Sequence, residues 1–381
     1  MRRSAPIFLA FLVMGFGDVV GPLVGLAKEE FVLSNTVAFF LTFVGFIMFG
    51  ILSVPMGIYQ DRKGKKFVLQ LGLFVALIGL VLPIISMKTF PLLLLAVLFL
   101  GAGATILQVA GNPIMRDVSE EGKYSRNLSL GQFVKAIGSL SGPVLPVLAA
   151  RYWNADWKIV FPIYSVVVLI TLIWVSTLKV EEKKHENSKP ATLKSCLALL
   201  KNNYVLLMVL AIFLYVGAEV SMSSGIPLYL KDQFGINIQK LGLLGTGLFF
   251  TALMVGRFLG GVLLTWIKPK PFFIATSLIA VVSIVLLFLG SEALAVVAVI
   301  LIGLSFANIF PLVFSITIDH LPEKTNELSG LMIMAIVGGA IVPPIMGMVQ
   351  DLTASILTGF LVPLLAIAYV TYVAMYNLKR A

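Results

Sequence analysis

Three charged side chains stand alone in long apolar stretches. Asp18 lies in LAFLVMGFGDVVGPLVGLA, Lys135 in LSLGQFVKAIGSLSGPVLPVLAA and Glu219 in YVLLMVLAIFLYVGAEVSMSSGIPLYL. If these stretches cross a bilayer, each charge costs about 2.5–3.5 kcal/mol on insertion scales, and ionisable groups kept at that cost line substrate or ion pathways. A carboxylate in such a place can take up and release a proton. A lysine can answer a carboxylate or hold an anionic group. Asp18 and Glu219 are therefore the candidate proton-coupling residues. For Lys135 three readings stay open: an ion-pair partner of Asp18 or Glu219 that lets go on protonation, a binder of an anionic substrate group, or a structural residue. His185 and His320 fall in polar segments, so a histidine metal site or relay inside the membrane is not expected, and the single Cys196 excludes an intramolecular disulfide.

Helical spacing gathers neutral polar groups around these charges. Gln108 and Asn112 are i, i+4; Gln132, Lys135 and Ser139 form one stripe; Tyr215, Glu219 and Ser223 form another. At 1.5 Å per residue, Lys135 lies roughly 14 Å beyond Arg126, Gln108 roughly 12 Å before Arg116 and Asn308 roughly 16 Å before Asp319. All approach the middle of a ~30 Å hydrocarbon core. Amides, hydroxyls and an aromatic face suit the hydrogen bonding and stacking that a sugar needs. The candidate substrate-binding residues are thus Lys135, Gln132, Gln108, Asn112, Tyr215 and Asn308.

The elements that must carry these residues are membrane helices. Of 381 residues 59% are hydrophobic and 12% charged, against about 25% charge in soluble domains. About twelve apolar segments approach the roughly 20 residues a crossing requires: 5–27, 36–60, 67–87, 90–115, 127–150, 158–178, 203–229, 240–267, 271–290, 293–318, 328–350 and 354–377. Backbone polar groups in lipid must be satisfied internally, so these are read as helices. The first is long enough to span rather than act as a cleaved signal. With the N-terminus placed in the cytoplasm, twenty of the 28 Lys and Arg fall in cytoplasmic segments and six in the opposite loops, with Lys135 and Arg257 inside spans. That bias sets both termini in the cytoplasm. It accounts for the net charge of +10 without a nucleic-acid partner.

Two halves match at an offset near 200: Gly17-Asp18 with Gly217-Ala218-Glu219, and Leu128-Ser129, Gly138 and Pro143 with Leu328-Ser329, Gly338 and Pro343. A duplicated six-helix unit follows, the kind of repeat that builds transporters with a midplane site between halves. The expected organisation is an N-terminal bundle over 1–178, a cytoplasmic linker over 179–202 carrying a short amphipathic helix, and a C-terminal bundle over 203–381.

GIYQDRKGKK, Gly57 to Lys66, closes the second segment and fits the Gly-x-x-x-Asp-Arg-x-Gly-[Arg/Lys]-[Arg/Lys] signature of the major facilitator superfamily at each defined position. The chain resembles that superfamily. The resemblance implies an all-α fold of twelve helices in two pseudo-symmetric bundles. Gly57, Asp61, Arg62, Gly64, Lys65 and Lys66 then form a gating and topology motif: Gly57 for close approach, Asp61 paired with Arg62 or a neighbouring helix terminus, Gly64 at the turn, and Lys65 and Lys66 in the cytoplasm. Arg257, in GRFLGG, is read as a structural or gating residue that snorkels or caps near the cytoplasmic end of the eighth helix.

A narrower resemblance, to the fucose–proton symporter family, rests on Leu107 to Ser139, on Leu214 to Ser221, on the Gly-Asp-Val-Val-x-Pro of residues 17–22 and on Phe310-Pro311-x-x-Phe314-Ser315. It implies ion-coupled sugar uptake, usually with a proton, and gives Asp18 a role in protonation and substrate binding. Two positions depart from it. The family's fourth-span glutamate falls at Gln108, and a polar, often asparagine, position falls at Lys135. The expected protein is no enzyme: it shows no metal motif, Gly-x-Ser-x-Gly or P-loop. It is expected to be a monomeric carrier of the bacterial inner membrane, importing a sugar, or an acidic sugar, with protons by alternating access. It needs no cofactor beyond H+ as coupling ion. Sodium coupling and export of small organic molecules are the alternatives.

Overall fold

Unbroken apolar runs become helices wherever the backbone can satisfy itself, and each of the twelve stretches contains one. The computed structural model describes residues 5–20, 27, 30–33, 35–178, 192–235 and 246–379. His185, Arg2, Arg3 and most of the linker lie outside the described residues. The helices are α1 (Ala5–Phe16), α2 (Asn35–Lys63), α3 (Lys65–Ile85), α4 (Phe90–Asp117), α5 (Tyr124–Trp153), α6 (Val160–Thr177), the short α7 (Leu193–Leu199), α8 (Asn203–Phe234), α9 (Thr246–Leu263), α10 (Pro269–Leu286), α11 (Glu292–Phe306), α12 (Ile309–His320), α13 (Thr325–Met334), α14 (Gly338–Thr353), α15 (Ile356–Gly359) and α16 (Leu361–Lys379). No strand occurs among the described residues. Nine helices there are long and apolar enough to cross a membrane, ten if the two pieces of α5, which meet at 42° across Pro143, count as one span; Ala5–Val19 and Leu248–Leu263 are shorter apolar helices.

The helices interrupt themselves where polar residues sit. α1 tightens into a 3₁₀ turn, Gly17–Val19, that holds Asp18; such tightening is common at helix ends and at hinges. α11 and α12 are separated by a turn at Ala307 and Asn308.

The chain divides into two compact units. Unit 1 comprises Met1–Glu121, Val134–Ala198 and Leu321–Met334; unit 2 comprises Gly122–Phe133, Leu199–His320 and Ala335–Ala381. The first part of α5 thus belongs to unit 2, and α13 to unit 1. Small residues seat both segments. In unit 1 a Cβ on Gly57 would lie 2.8 Å from the Asn326 carbonyl oxygen and 3.0 Å from Gly330 Cα. In unit 2 a Cβ on Gly261 would strike the Leu130 side chain. Positions 130 and 330 are the two copies of one place in the repeat, so the duplication read from the sequence also appears as matched packing. The pattern recurs at Gly138, which abuts the backbone of Leu12 in unit 1, and at Gly338, which abuts that of Phe213 in unit 2. Close backbone approach at small residues is how membrane helices associate without a hydrophobic drive between them.

Candidate functional site

In unit 1 the backbone contact of α1 with α5 sets the geometry. Gly15 lies against the backbone of Lys135, Gly138 and Ser139, so the next residues of α1 reach the polar face of α5. Asp18 Oδ2 accepts a hydrogen bond from Ser139 Oγ at 2.8 Å and lies 3.3 Å from Lys135 Nζ. The lysine side chain is 12% exposed and the aspartate 38%: the cation is the more enclosed partner and the carboxylate the more exposed one. Phe16 stacks on Tyr164 of α6 at 3.9 Å between centroids, and the Tyr164 hydroxyl lies 2.7 Å from Ser141 Oγ. These contacts fix the stretch leading into Asp18. Of the partners the sequence left open for Lys135, the structure selects Asp18.

Glu219 has its own cation. Arg257 of α9 reaches Glu219 Oε1 on α8 at 3.4 Å, with both side chains largely buried. This corrects the expected place of Arg257: the guanidinium does not snorkel to a helix end but bridges α8 and α9 inside unit 2. The reason is geometric. Arg257 sits one helical turn before the Gly260-Gly261 pair, where α9 is crossed closely by Asn308 and Leu130, and from there its long side chain reaches α8 more readily than either end of its own helix. Its Nε is buried without a hydrogen-bond partner.

The other candidates divide. Tyr215 is fully buried; its hydroxyl donates to the Phe306 carbonyl at 2.9 Å, beside the Glu219–Arg257 pair. Asn308 donates from Nδ2 to the Gly256 carbonyl at 2.7 Å, an interhelical bond, while its buried Oδ1 has no partner. Gln108 and Asn112 of α4 are buried in unit 1, and Gln132 of α5 in unit 2. The expected stripe on α5 is therefore shared between the units, with Lys135 and Ser139 in unit 1.

The Gly57–Lys66 motif is more enclosed than a solvated basic turn. Gly64, at φ +91°, ends α2 and begins α3, a backbone that favours glycine. Asp61 accepts from Asn326 Nδ2 at 2.8 Å in the first turn of α13, so it does pair with a neighbouring helix terminus, where a carboxylate is favoured. Arg62 is exposed. Lys65 departs from expectation: it is buried and pairs at 2.6 Å with Asp117 of α4. Lys66 donates to the Ser176 carbonyl at 2.9 Å. Two neighbouring lysines read as solvated, yet Lys65 starts α3 on the face that packs against α4. Asp117, Asn326 and Glu327, which holds Lys324 at 3.1 Å, were missed. The only signal for Asp117 was a carboxylate at the end of an apolar run, beside Arg116 and just before Glu120 and Glu121.

Comparison with known proteins resolves the family. The model of the Major Facilitator Superfamily matches residues 7–344. The chain belongs to the Major Facilitator Superfamily. Within the superfamily it is 30% identical to a putative glucose/galactose transporter of Helicobacter pylori strain J99, over 97% of this chain and 95% of that one. It is also 30% identical to a glucose/galactose transporter of Brucella abortus biovar 1, over 97% and 93%. The L-fucose-proton symporter of Escherichia coli is 25% identical over 93% of this chain and 88% of its own length. Among solved structures, the superfamily transporter FucP, crystallised in an outward conformation, superposes with a TM-score of 0.86 at 22% identity, covering 98% of both chains. That likeness shows the all-helical fold. The family match and the 30% identical transporters make the chain a superfamily transporter rather than an enzyme, a multi-pass protein of the bacterial inner membrane.

Proposed function

We propose that the chain imports a sugar together with protons, and that Asp18 is the group that carries the proton. The observation that carries this reading is the Asp18 site. It is a carboxylate held by one lysine and one hydroxyl in a break of α1, open enough to exchange protons and too enclosed to be merely a surface ion pair. The names of the relatives support it: glucose and galactose in two cases, L-fucose with protons in another. Protonating Asp18 would end its claim on Lys135 and loosen the grip of α5 on α1. Losing the proton would restore that grip, so the proton biases which of two conformations is populated.

Glu219 is assigned a bridging role instead of a second coupling role. Its charge is answered by a guanidinium that stays protonated throughout, and protonating Glu219 would leave that cation bare in the membrane. The twelve apolar segments support twelve crossings, and the distribution of basic residues supports both termini in the cytoplasm. Both charge pairs are complete within one chain, which fits a monomeric carrier.

The test uses purified protein in liposomes. Adding a sugar from a panel of hexoses, deoxyhexoses and sugar acids should alkalinise a lightly buffered external medium, and a protonophore should abolish accumulation. Accumulation driven by an imposed sodium gradient with the proton gradient collapsed would overturn the proton assignment in favour of sodium.

A further inference from the structure

We propose that the substrate is a sugar acid, whose carboxylate takes the place of Asp18 on Lys135 and Ser139 once Asp18 has accepted the coupling proton. This rests on the reading of Asp18 as the proton carrier and names the substrate class for it.

The argument starts from what Asp18 occupies. Its Oδ2 receives two converging groups from α5: the Ser139 hydroxyl at 2.8 Å and the Lys135 ammonium at 3.3 Å. A donor hydroxyl and a cation aimed at one oxygen make a carboxylate receptor, here filled by the chain's own side chain. When Asp18 becomes neutral the receptor is emptied of charge, but the lysine remains. An ammonium offers three donors and no acceptor. It is a poor group for a neutral sugar hydroxyl, which both gives and takes hydrogen bonds, and a good one for a carboxylate.

Among the described residues no other buried carboxylate stands ready to take over. Those of unit 1 are engaged, Asp117 by Lys65 at 2.6 Å and Glu327 by Lys324 at 3.1 Å, and Glu219 belongs to unit 2 and to Arg257. Around Asp18, α4 offers Ala104 against Gly17, and α6 offers the neutral Tyr164. Lys135 itself is enclosed, with 12% of its side chain exposed, so water is a limited substitute. A cycle that moves one proton and one neutral sugar would carry an unanswered ammonium through the apolar barrier. One that moves one proton and one sugar carboxylate keeps the site at zero charge in every loaded and empty state. The balance is complete: the proton goes onto Asp18, the anion onto Lys135, and both leave on the other side. Transport of the pair is then electroneutral.

The experiment compares D-galacturonate and D-glucuronate with D-galactose, D-glucose and L-fucose in proteoliposomes of the full chain. The uronates are expected to be taken up at least tenfold faster at equal concentration, driven by a pH gradient and unchanged by a potassium–valinomycin potential of either sign. Lys135→Asn should lower uronate uptake at least tenfold and turn the ratio of uronate to hexose uptake toward the hexoses, and Lys135→Arg should retain the uronates. Proton-coupled uptake of a neutral sugar that responds to potential, with uronates neither carried nor competing, overturns this inference alone. Uronate uptake that moves net charge also overturns it. If no sugar of either class is carried, the sugar-import reading falls with it. The wild-type comparison needs no variant to fold.

Discussion

The pair of Glu219 and Arg257 gives a prediction whose size follows from its surroundings. Both side chains are more than four-fifths buried and meet at 3.4 Å, the Arg257 Nε already lacks a partner, and Tyr215 beside them is fully buried. Little water can reach a charge left behind. Removing one member of such a pair costs about 3–5 kcal/mol, whereas replacing both with apolar residues of similar volume is neutral or stabilising. Glu219→Gln and Arg257→Met, each alone, should therefore lower the unfolding temperature of detergent-solubilised protein by several degrees. The double variant Glu219→Met/Arg257→Met should recover most of that loss. A double-mutant cycle read by thermal unfolding gives the coupling, expected at about 2 kcal/mol or more. If the double variant is as unstable as the summed singles, the two charges do not answer each other and the assignment of Glu219 to bridging fails.

Other consequences can be checked separately. Ser139→Ala removes a hydrogen bond to a charged oxygen, a class worth about 1.5–3 kcal/mol; because Asp18 is partly exposed, about a tenfold drop in uptake is expected, with recovery in Ser139→Thr. Gly57→Leu should abolish uptake while leaving expression intact, since even a Cβ there would lie 2.8 Å from the Asn326 carbonyl; normal uptake by this variant would disprove the tight packing of α2 on α13. Burial, with the Glu327 carboxylate adding to it, pushes the Cys196 thiol up to about 11. The neutral thiol is thus favoured in the folded chain, and stability is expected to fall as pH rises from the ordinary thiol range toward 11. At pH 8 maleimide should label the native protein on the order of a hundredfold more slowly than the SDS-unfolded protein.

Much of this molecule can be read along the chain, because lipid forces apolar residues into long runs and makes a stray charge conspicuous. Asp18, Lys135 and Glu219 stood out for that reason, and the spacing of Lys135 and Ser139 put both on the face that meets Asp18. The repeat was legible in Gly138 and Gly338 because backbone contact permits no side chain at either place. What could not be read was partnership. Which cation faces which carboxylate depends on helix–helix distances, and no periodicity within one helix reports those. Arg257 was judged from its own helix, where the helix end was the nearest refuge, yet the adjacent α8 offered a closer one. Lys65 was judged from its basic neighbours, which hid the carboxylate on α4 that buries it. Tyr215 and Asn308 looked like lining residues; their hydrogen bonds go to backbone carbonyls at Phe306 and Gly256, a use that composition cannot distinguish from ligand binding.

The central claim is that Asp18 carries the coupled proton, and the most direct measurement separates exchange from accumulation in Asp18→Asn. For one proton per substrate, a gradient of one pH unit supports about tenfold accumulation, the equivalent of about 1.4 kcal/mol. Proteoliposomes of the native chain, with a transported sugar and one pH unit imposed, should approach that ratio. Asp18→Asn should exchange labelled for unlabelled sugar across the membrane yet settle at a ratio of one whatever pH gradient is imposed at zero membrane potential. Tenfold accumulation by Asp18→Asn would contradict the account and move the proton to another residue.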